Sequence, residues 1–364
     1  MNTGLMTGRK RRVAAAVKRT GADTLLVTNL PDIRYLCGFT GSNATLVLKG
    51  NRATMFTDGR YTTQAQSEVD GAQVIIADQP VVKAAIEFAL ANGAQRCAFD
   101  ASYTTVQSLD SMRASLPAKS RKTFFIAVEG LIASLREIKD EIEQDRMRAA
   151  AALGCRLFDQ VLEHIVPGAT EMEVAMALEY MARLEGAERM SFESIVAGGE
   201  RSALPHGRAT TAKLPRRGFV TLDFGVVLEG YCSDMTRTLH LGSARKGERE
   251  VYEAVLDAQL AGVAAVRAGV TAGEVDEAAR SVLRVAGLDA YFTHSTGHGV
   301  GIDIHEGPRL GKKNTTKLQA GMIVTIEPGV YMPGKFGVRI EDTVLVTATG
   351  SEILTPSTKA WIEL

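Results

Sequence analysis

The stretch F-V-T-L-D-F-G-V-V-L-E-G-Y-C-S-D-M-T-R-T-L-H-L, residues 219–241, decides the fold. With a strand period, Val220, Leu222, Phe224 and Val226 share one face, while Thr221, Asp223 and Gly225 share the other. After the turn-like Leu228-Glu229-Gly230, a second strand sets Asp234, Thr236 and Thr238 on one face, with Met235 and Leu239 opposite. Pairing the two runs as a hairpin brings Asp223 and Asp234 onto a single face. One carboxylate in an apolar β-run is costly unless compensated. Two are worse, since like charges about 4 Å apart repel by roughly 4 kcal/mol at an effective dielectric near 20. For an isolated pair of aspartates, a solvated hairpin face would be explanation enough.

A second hairpin with the same peculiarity overturns that explanation. It is M-I-V-T-I-E-P-G-V-Y-M-P-G-K-F-G-V-R-I-E-D-T-V-L-V-T, residues 322–347. Ile323, Thr325 and Glu327 share one strand face, and Arg339, Glu341 and Thr343 share a face of the return strand. Pro333, Gly334 and Gly337 supply the reversal. Between the hairpins lies H-S-T-G-H-G-V-G-I-D-I-H-E-G-P, residues 294–308, which holds three of the chain's six histidines. Four carboxylates and an imidazole make an oxygen-rich donor set suited to a pair of divalent metals. Two dications would balance the four negative charges.

At 364 residues the chain exceeds one ordinary core, so two domains are expected. Lys and Arg balance Asp and Glu at 42 each, which gives no general pull toward nucleic acid or anionic lipid. Cys37, Cys97, Cys155 and Cys232 are scattered and show no disulfide-like spacing, so free thiols in a reducing cytoplasm are expected. No run approaches membrane-spanning length. The basic start (Arg9, Lys10, Arg11, Arg12) is followed by too short an apolar stretch for a signal peptide, and a basic helix start explains it better.

Residues 1–130 are predicted to form an α/β domain. Its strands are 24–28, 44–48, 52–57, 72–77 and 96–100, and its helices 10–20, 60–69, 81–92 and 104–116. The near-continuous apolar strands predict a sheet covered on both faces. Asp58-Gly59-Arg60-Tyr61 reads first as a tight strand-to-helix turn, and second as a contact reaching a neighbouring subunit's active site. A charge-dense shift (Arg136, Glu137, Lys139, Asp140, Glu141, Glu143) marks residues 131–139 as a linker.

Residues 140–364 form the second domain. A long helix is expected to His164, then a helix opened by the capping box Thr170–Glu173, a strand at 192–197 and the first hairpin. Helices at about 248–267 and 271–286 precede the second hairpin. Helices followed by an acid-bearing hairpin thus occur twice, which predicts a pseudo-twofold α+β architecture with the acids at the repeat interface. His164 reads as a helix C-terminal residue interacting with the dipole, and His240 as a satisfied surface residue.

D-F-G…S-D-M-T-R-T, H-S-T-G-H-G-V-G-I-D-I-H-E-G-P, I-E-P-G-V-Y and V-R-I-E-D-T, in this order and spacing, resemble the motifs of the pita-bread metallopeptidases. That group includes methionine aminopeptidase, aminopeptidase P, prolidase and the non-metal enzyme creatinase. R-Y-L-C-G-F-T-G-S-N and T-D-G-R-Y are similar to the N-terminal domain of bacterial Xaa-Pro peptidases, so the resemblance spans nearly the whole chain. It implies Asp223, Asp234, His298, Glu327 and Glu341 as metal ligands, with Asp234 and Glu341 bridging two ions. It further implies Glu327 as proton shuttle, His305 on the tetrahedral intermediate, His206 on the substrate backbone and His294 in the wall of a proline pocket. Arg339 is expected to steady the neighbourhood of Glu341 or to grip a substrate carboxylate bidentately, and Tyr331 to join the pocket. A water shared by two dications loses its proton near neutral pH, which would supply the attacking hydroxide.

The expected function is therefore an Xaa-Pro aminopeptidase of the aminopeptidase P kind, removing an N-terminal residue that precedes proline. The alternative is a prolidase confined to dipeptides. Methionine aminopeptidase activity is disfavoured by the extra N-terminal domain, and a non-catalytic binding homologue by the retention of all five ligand positions. Mn²⁺ is the expected ion, with Co²⁺ or Zn²⁺ as substitutes. Proline-containing peptides are the expected partners, nucleic acid and membrane are not, and the resemblance implies a cytoplasmic homodimer.

Overall fold

Six strands in the order Gln73–Ala77, Arg52–Asp58, Ala44–Lys49, Thr24–Val27, Cys97–Asp100 and Phe125–Val128 make the sheet of the N-terminal unit. The computed structural model describes residues 3–364, and the chain divides into units ending at Arg136 and beginning at Glu137. The sheet is mixed, with Thr24–Val27 antiparallel to Ala44–Lys49 and parallel to Cys97–Asp100. Its central strands are buried along their length, as their unbroken apolar runs require. Leu26, Val47 and Phe56 pack on the helix Val81–Ala91, so their strand neighbours Leu25, Leu46, Leu48 and Met55, also buried, point to the opposite face. A helix at Leu30–Cys37 has no counterpart in the expected elements. It is short, opens on Pro31 in its first turn, and ends at Gly38 in the left-handed region (φ 83°). Asp58 accepts from the Arg60 backbone N–H and caps the short turn Gly59–Tyr61, the strand-to-helix role expected first.

The expected linker at residues 131–139 is folded. Ala133–Arg136 is helical, and Arg136 is buried 2.8 Å from the equally buried Asp32. The charge run is also not a solvated boundary. Lys139 is buried 3.0 Å from Glu306, and Glu143 is buried, accepting from Tyr231 Oη at 3.1 Å. Periodicity cannot separate a run of solvated charges from a run of internally paired ones.

The second unit contains two helix-pair-plus-hairpin halves. Helices Glu141–Val161 and Glu171–Leu184 bury Leu153, Leu157, Phe158, Val174 and Leu178 against Val220, Leu222 and Phe224 of the first hairpin. Helices Lys246–Ala265 and Ala272–Val285 contribute Val263, Ala272 and Val275 to a core with Val324, Ile326 and Val344 of the second. Each half opens its second helix with the same capping box, Thr170 with Glu173 and Thr271 with Glu274. Substituting such a cap by alanine costs about 1 kcal/mol. His240 departs from expectation: it is buried between Phe219 and Trp361, with Nδ1 2.6 Å from the Gly242 carbonyl oxygen. Among the described residues no helix is long and apolar enough to cross a membrane.

Candidate metal centre

Both hairpins keep one register from base to tip while their backbone ladders lapse midway. In the first, Met235 pairs with Phe224 and, beyond the lapse, Cys232 pairs with Val227, which sets Asp234 opposite Gly225. In the second, Ile326 pairs with Asp342 and Gly329 with Arg339, which sets Glu327 opposite Glu341. Asp234, Glu327 and Glu341 therefore sit where strands stop bonding to each other, while Asp223 stays within the ladder opposite Thr236. A Cβ on Gly225 would lie 1.8 Å from the Ser233 carbonyl oxygen, so only glycine permits the approach that carries Asp234 inward.

The freed backbone groups bond across to other elements. The Glu341 N–H donates to the Thr236 carbonyl at 3.1 Å, and Thr343 Oγ1 donates to the Asp234 carbonyl at 2.8 Å. The Glu327 N–H donates to the Thr296 carbonyl at 2.7 Å, beside the strand Gly297–Gly299 that carries His298. These bonds bring donor atoms of Asp234, His298 and Glu341 within 4.8 Å of one another. His298 Nε2 is 3.5 Å from Asp234 Oδ2 and 3.6 Å from Glu327 Oε1. Its Nδ1 lies 2.9 Å from the Gly299 carbonyl oxygen, so that nitrogen carries the hydrogen and Nε2 offers a lone pair to the acids.

The electrostatics show what the cluster lacks. Burial, reinforced by Glu341, pushes the Asp234 carboxyl well above the usual range. Burial pushes Glu327 up to about 8, with Asp223 adding to the rise against the opposing charge of Arg339. Glu341 rises for the same first reason, with Glu327 next. Burial holds the His298 imidazole down to about 4, so it is neutral. A neutral imidazole aimed at carboxylates that would charge only with compensation is a donor set that fits divalent cations, which supply that charge.

Arg339 holds the arrangement from behind. Its Nη2 donates to Asp223 Oδ2 at 2.5 Å, and its Nε donates to Thr236 Oγ1 at 3.1 Å. Thr236 Oγ1 in turn donates to Glu341 Oε2 at 2.8 Å, so one guanidinium orients acids of both hairpins. Nη1 donates to the Pro205 carbonyl and to Tyr331 Oη at 3.1 and 2.6 Å. This corrects one expectation: a fork committed to four protein groups is not free to grip a substrate carboxylate. Tyr331 is corrected too, since it stands buried behind the cleft wall. Its hydroxyl donates to His294 Nε2 at 2.9 Å, while His294 Nδ1–H donates to the Ser295 carbonyl at 2.8 Å. Burial holds His294 down to about 4, which keeps it neutral and able to accept that bond.

Asp223, Asp234, His298, Glu327, Glu341, Arg339, His206, His294 and His305 all line one cleft of about 690 Å³, and Tyr331 does not. His305 sits edge-to-face on His298 with ring centroids 4.5 Å apart. His206 is exposed at the rim, on the loop after the short helix Gly199–Ala203.

Residues 145–348 match the model of Metallopeptidase family M24. The chain belongs to that family. As an M24 metallopeptidase it also carries, at residues 9–138, a match to the Creatinase/Prolidase N-terminal domain. A solved Xaa-Pro dipeptidase from Bacillus anthracis superposes with a TM-score of 0.95 at 38% identity, covering 99% of this chain and 100% of that one. An X-Pro aminopeptidase from Thermotoga maritima superposes at 0.88 with 33% identity, covering 96% and 100%. An Xaa-Pro dipeptidase of Pyrococcus horikoshii is 32% identical over 369 residues, 98% of this chain and 99% of the relative. The pita-bread fold with its creatinase-like first domain, expected from the motifs, is the fold of this M24 member.

Several residues that matter here escaped the sequence reading. Thr236 had a signal, since it follows Asp234 by two positions on the same strand face. Arg309, immediately after the His305-Glu306-Gly307-Pro308 run, lines the cleft beside His294 and Ser295. The buried pair Asp276–Arg280 had none. Arg280 donates to the Phe292 and His294 carbonyls, while Asp276 accepts from Thr296 N–H and Oγ1, which fixes the loop carrying His294.

Proposed function

We propose that the chain is a prolidase, an Xaa-Pro dipeptidase working with two divalent metal ions, with Mn²⁺ as the first choice. Arg309 carries this reading. Three arginines line the cleft; Arg339 is committed to Asp223, Thr236, Pro205 and Tyr331, and Arg208 lies 3.0 Å from Glu193. Arg309 donates from Nε to Ser295 Oγ at 3.2 Å and has no carboxylate partner among the described residues. It lies on the strand Glu306–Leu310, which pairs with the strand of His298. A dipeptide differs from a longer peptide in carrying its free carboxylate directly on the proline beside the scissile bond. A cation next to the ligand strand suits that group.

Asp223, Asp234, His298, Glu327 and Glu341 would hold the ions. Bound dications supply polarisation of the scissile carbonyl and a lowered pKa for water. The chain's own groups do the rest. Glu327 carries a proton toward the proline nitrogen, and His305 donates to the developing oxyanion. His206 at the rim takes the substrate backbone. Phe192, Ile195, Pro205 and Ile304 give the apolar wall that a pyrrolidine ring requires, a ring whose nitrogen offers no N–H for recognition.

Names of relatives support the dipeptidase reading, while the likeness to an X-Pro aminopeptidase keeps longer peptides as the second one. A specific observation favours that second reading: the cleft of about 690 Å³ is larger than a dipeptide fills. Turnover of Ala-Pro, Ala-Pro-amide and Ala-Pro-Ala by the Mn²⁺-loaded enzyme decides between them. Ala-Pro is expected to be the best substrate, with R309M raising its KM at least tenfold and leaving the amide unchanged. Faster hydrolysis of Ala-Pro-Ala would reverse the order. A homodimer in the cytoplasm completes the proposal, on the strength of the family resemblance and the free thiols.

A further inference from the structure

We infer that Asp276 is a positioning residue for Glu327, acting through Thr296 from behind the loop that leads into the ligand strand Gly297–Gly299. Residues 292–296 belong to no helix or strand, so their backbone groups must find partners outside a ladder. One ion pair on the helix Ala272–Val285 meets the loop at both ends. Arg280 Nη1 and Nη2 donate to the Phe292 and His294 carbonyls at 3.1 and 2.9 Å. Asp276 Oδ1 accepts from the Thr296 N–H at 3.1 Å and from Thr296 Oγ1 at 2.9 Å. Asp276, Arg280 and Thr296 are all buried, and Arg280 holds both oxygens of Asp276 at 3.0 Å. A buried ion pair is a weak source of stability, because desolvation offsets the attraction, and what this one supplies is orientation.

Thr296 turns its other side to the metal centre. Its carbonyl accepts from the Glu327 N–H at 2.7 Å, so Asp276 and the backbone of Glu327 grip one residue from opposite sides. Glu327 has left the ladder between Ile326 and Gly329, and this bond stands in for a strand partner. A second link runs beside it. The His298 N–H donates to Thr325 Oγ1 at 3.1 Å, and that hydroxyl reaches Glu327 Oε1 at 3.4 Å. Gly297 is pressed so close that a Cβ there would lie 1.8 Å from the Thr325 carbonyl oxygen. Thr296 therefore cannot shift without carrying Glu327 with it. The two members of the pair divide the work. Asp276 governs Thr296 and thereby Glu327, the proposed ligand and proton carrier. Arg280 governs the His294 carbonyl and with it the imidazole that lines the cleft. Neither Asp276 nor Arg280 lines that cleft, so each acts only through the loop.

The inference rests on the proposed roles of Glu327 and His294. Asp276→Ala would strand the buried charge of Arg280 and risk unfolding the chain, so T296V and T296S carry the test. T296V keeps the shape and removes the hydroxyl bond to Asp276, while T296S keeps that bond. On Ala-Pro with saturating Mn²⁺, T296V is expected to lower kcat at least tenfold with KM within twofold. Competition with a metal indicator should show its Mn²⁺ binding weakened about tenfold. T296S is expected within twofold of the wild type in all three. R280K keeps a charge beside Asp276 and loses the fork on the two carbonyls. It is expected to raise KM at least fivefold, with kcat and Mn²⁺ binding within twofold. Three results would each overturn the inference: a T296V with a lower thermal midpoint but intact kcat and Mn²⁺ binding, a T296S as impaired as T296V, or an R280K that loses kcat at unchanged KM. Faster hydrolysis of Ala-Pro-Ala than of Ala-Pro by the wild type would instead overturn the prolidase reading. The Mn²⁺ binding of T296V against T296S, which needs no turnover, would then still decide this one.

Discussion

Arg339 and Asp223 belong to different hairpins, yet Nη2 of one lies 2.5 Å from Oδ2 of the other. Because the same guanidinium reaches Glu341 through Thr236, it ties the acids to one rigid group. Partners standing behind metal ligands set affinity by orienting them, typically by 10–100-fold.

Arg339→Lys keeps a charge but loses the planar fork. Weakening of divalent-ion affinity by about 10–100-fold is expected, read by competition with a metal indicator. Activity at saturating metal should fall less than activity at limiting metal.

Thr236→Val preserves shape and removes the hydroxyl that accepts from Arg339 and donates to Glu341. A loss of about 1–2 kcal/mol in metal binding is expected, with a thermal midpoint in chelator that drops little. Titration calorimetry with Mn²⁺ reads the first and scanning calorimetry the second.

In chelator, stability should fall as pH rises from 6.5 to 8. Below 6.5 two influences oppose each other. His294 and His298, held down to about 4 against an ordinary 6.5, make the folded state lose stability as pH drops. The raised carboxyls of Asp234, Glu327 and Glu341 make it gain. Above 6.5 the unfolded imidazoles give up their remaining protons and the first influence fades, while Glu327, pushed up to about 8, still holds a proton that the unfolded chain has released. The folded state then binds more protons, so the slope is negative. Scanning calorimetry at pH 6.5 and 8 should show a lower midpoint at 8 with chelator, and excess Mn²⁺ should remove the difference because metal binding expels those protons.

Arg237→Leu should cost about 1–3 kcal/mol, since it leaves three carbonyls without their donor and the buried Asp342 with Lys359 as its cationic partner. Arg237 Nη2 lies 2.9 Å from Asp342 Oδ1, and the same group donates to the Thr355, Ser357 and Thr358 carbonyls. Denaturant midpoints would show the loss, and proteolysis should begin in residues 355–364.

Much of the site was legible because acids on strand faces violate an otherwise strict apolar alternation. Asp223, Asp234, Glu327 and Glu341 announced themselves in this way, and the paired halves followed from helix periods and capping boxes. What stayed hidden depends on distance in sequence. Arg136 with Asp32, and Lys139 with Glu306, are pairs whose members each look like solvated charges when read locally. Arg339 faced the site as expected, but its commitment to four groups depends on where Pro205 and Thr236 arrive.

The unbroken register of the two hairpins limits how their lengths can vary. Inserting a single residue between an acid and the tip would turn every side chain on that arm to the reverse side. Additions confined to the tips at Glu229-Gly230 or Pro333-Gly334 lengthen the loop and leave both arms in register. Related chains should show loop tips that vary in length, with the spans between acid and tip conserved in length.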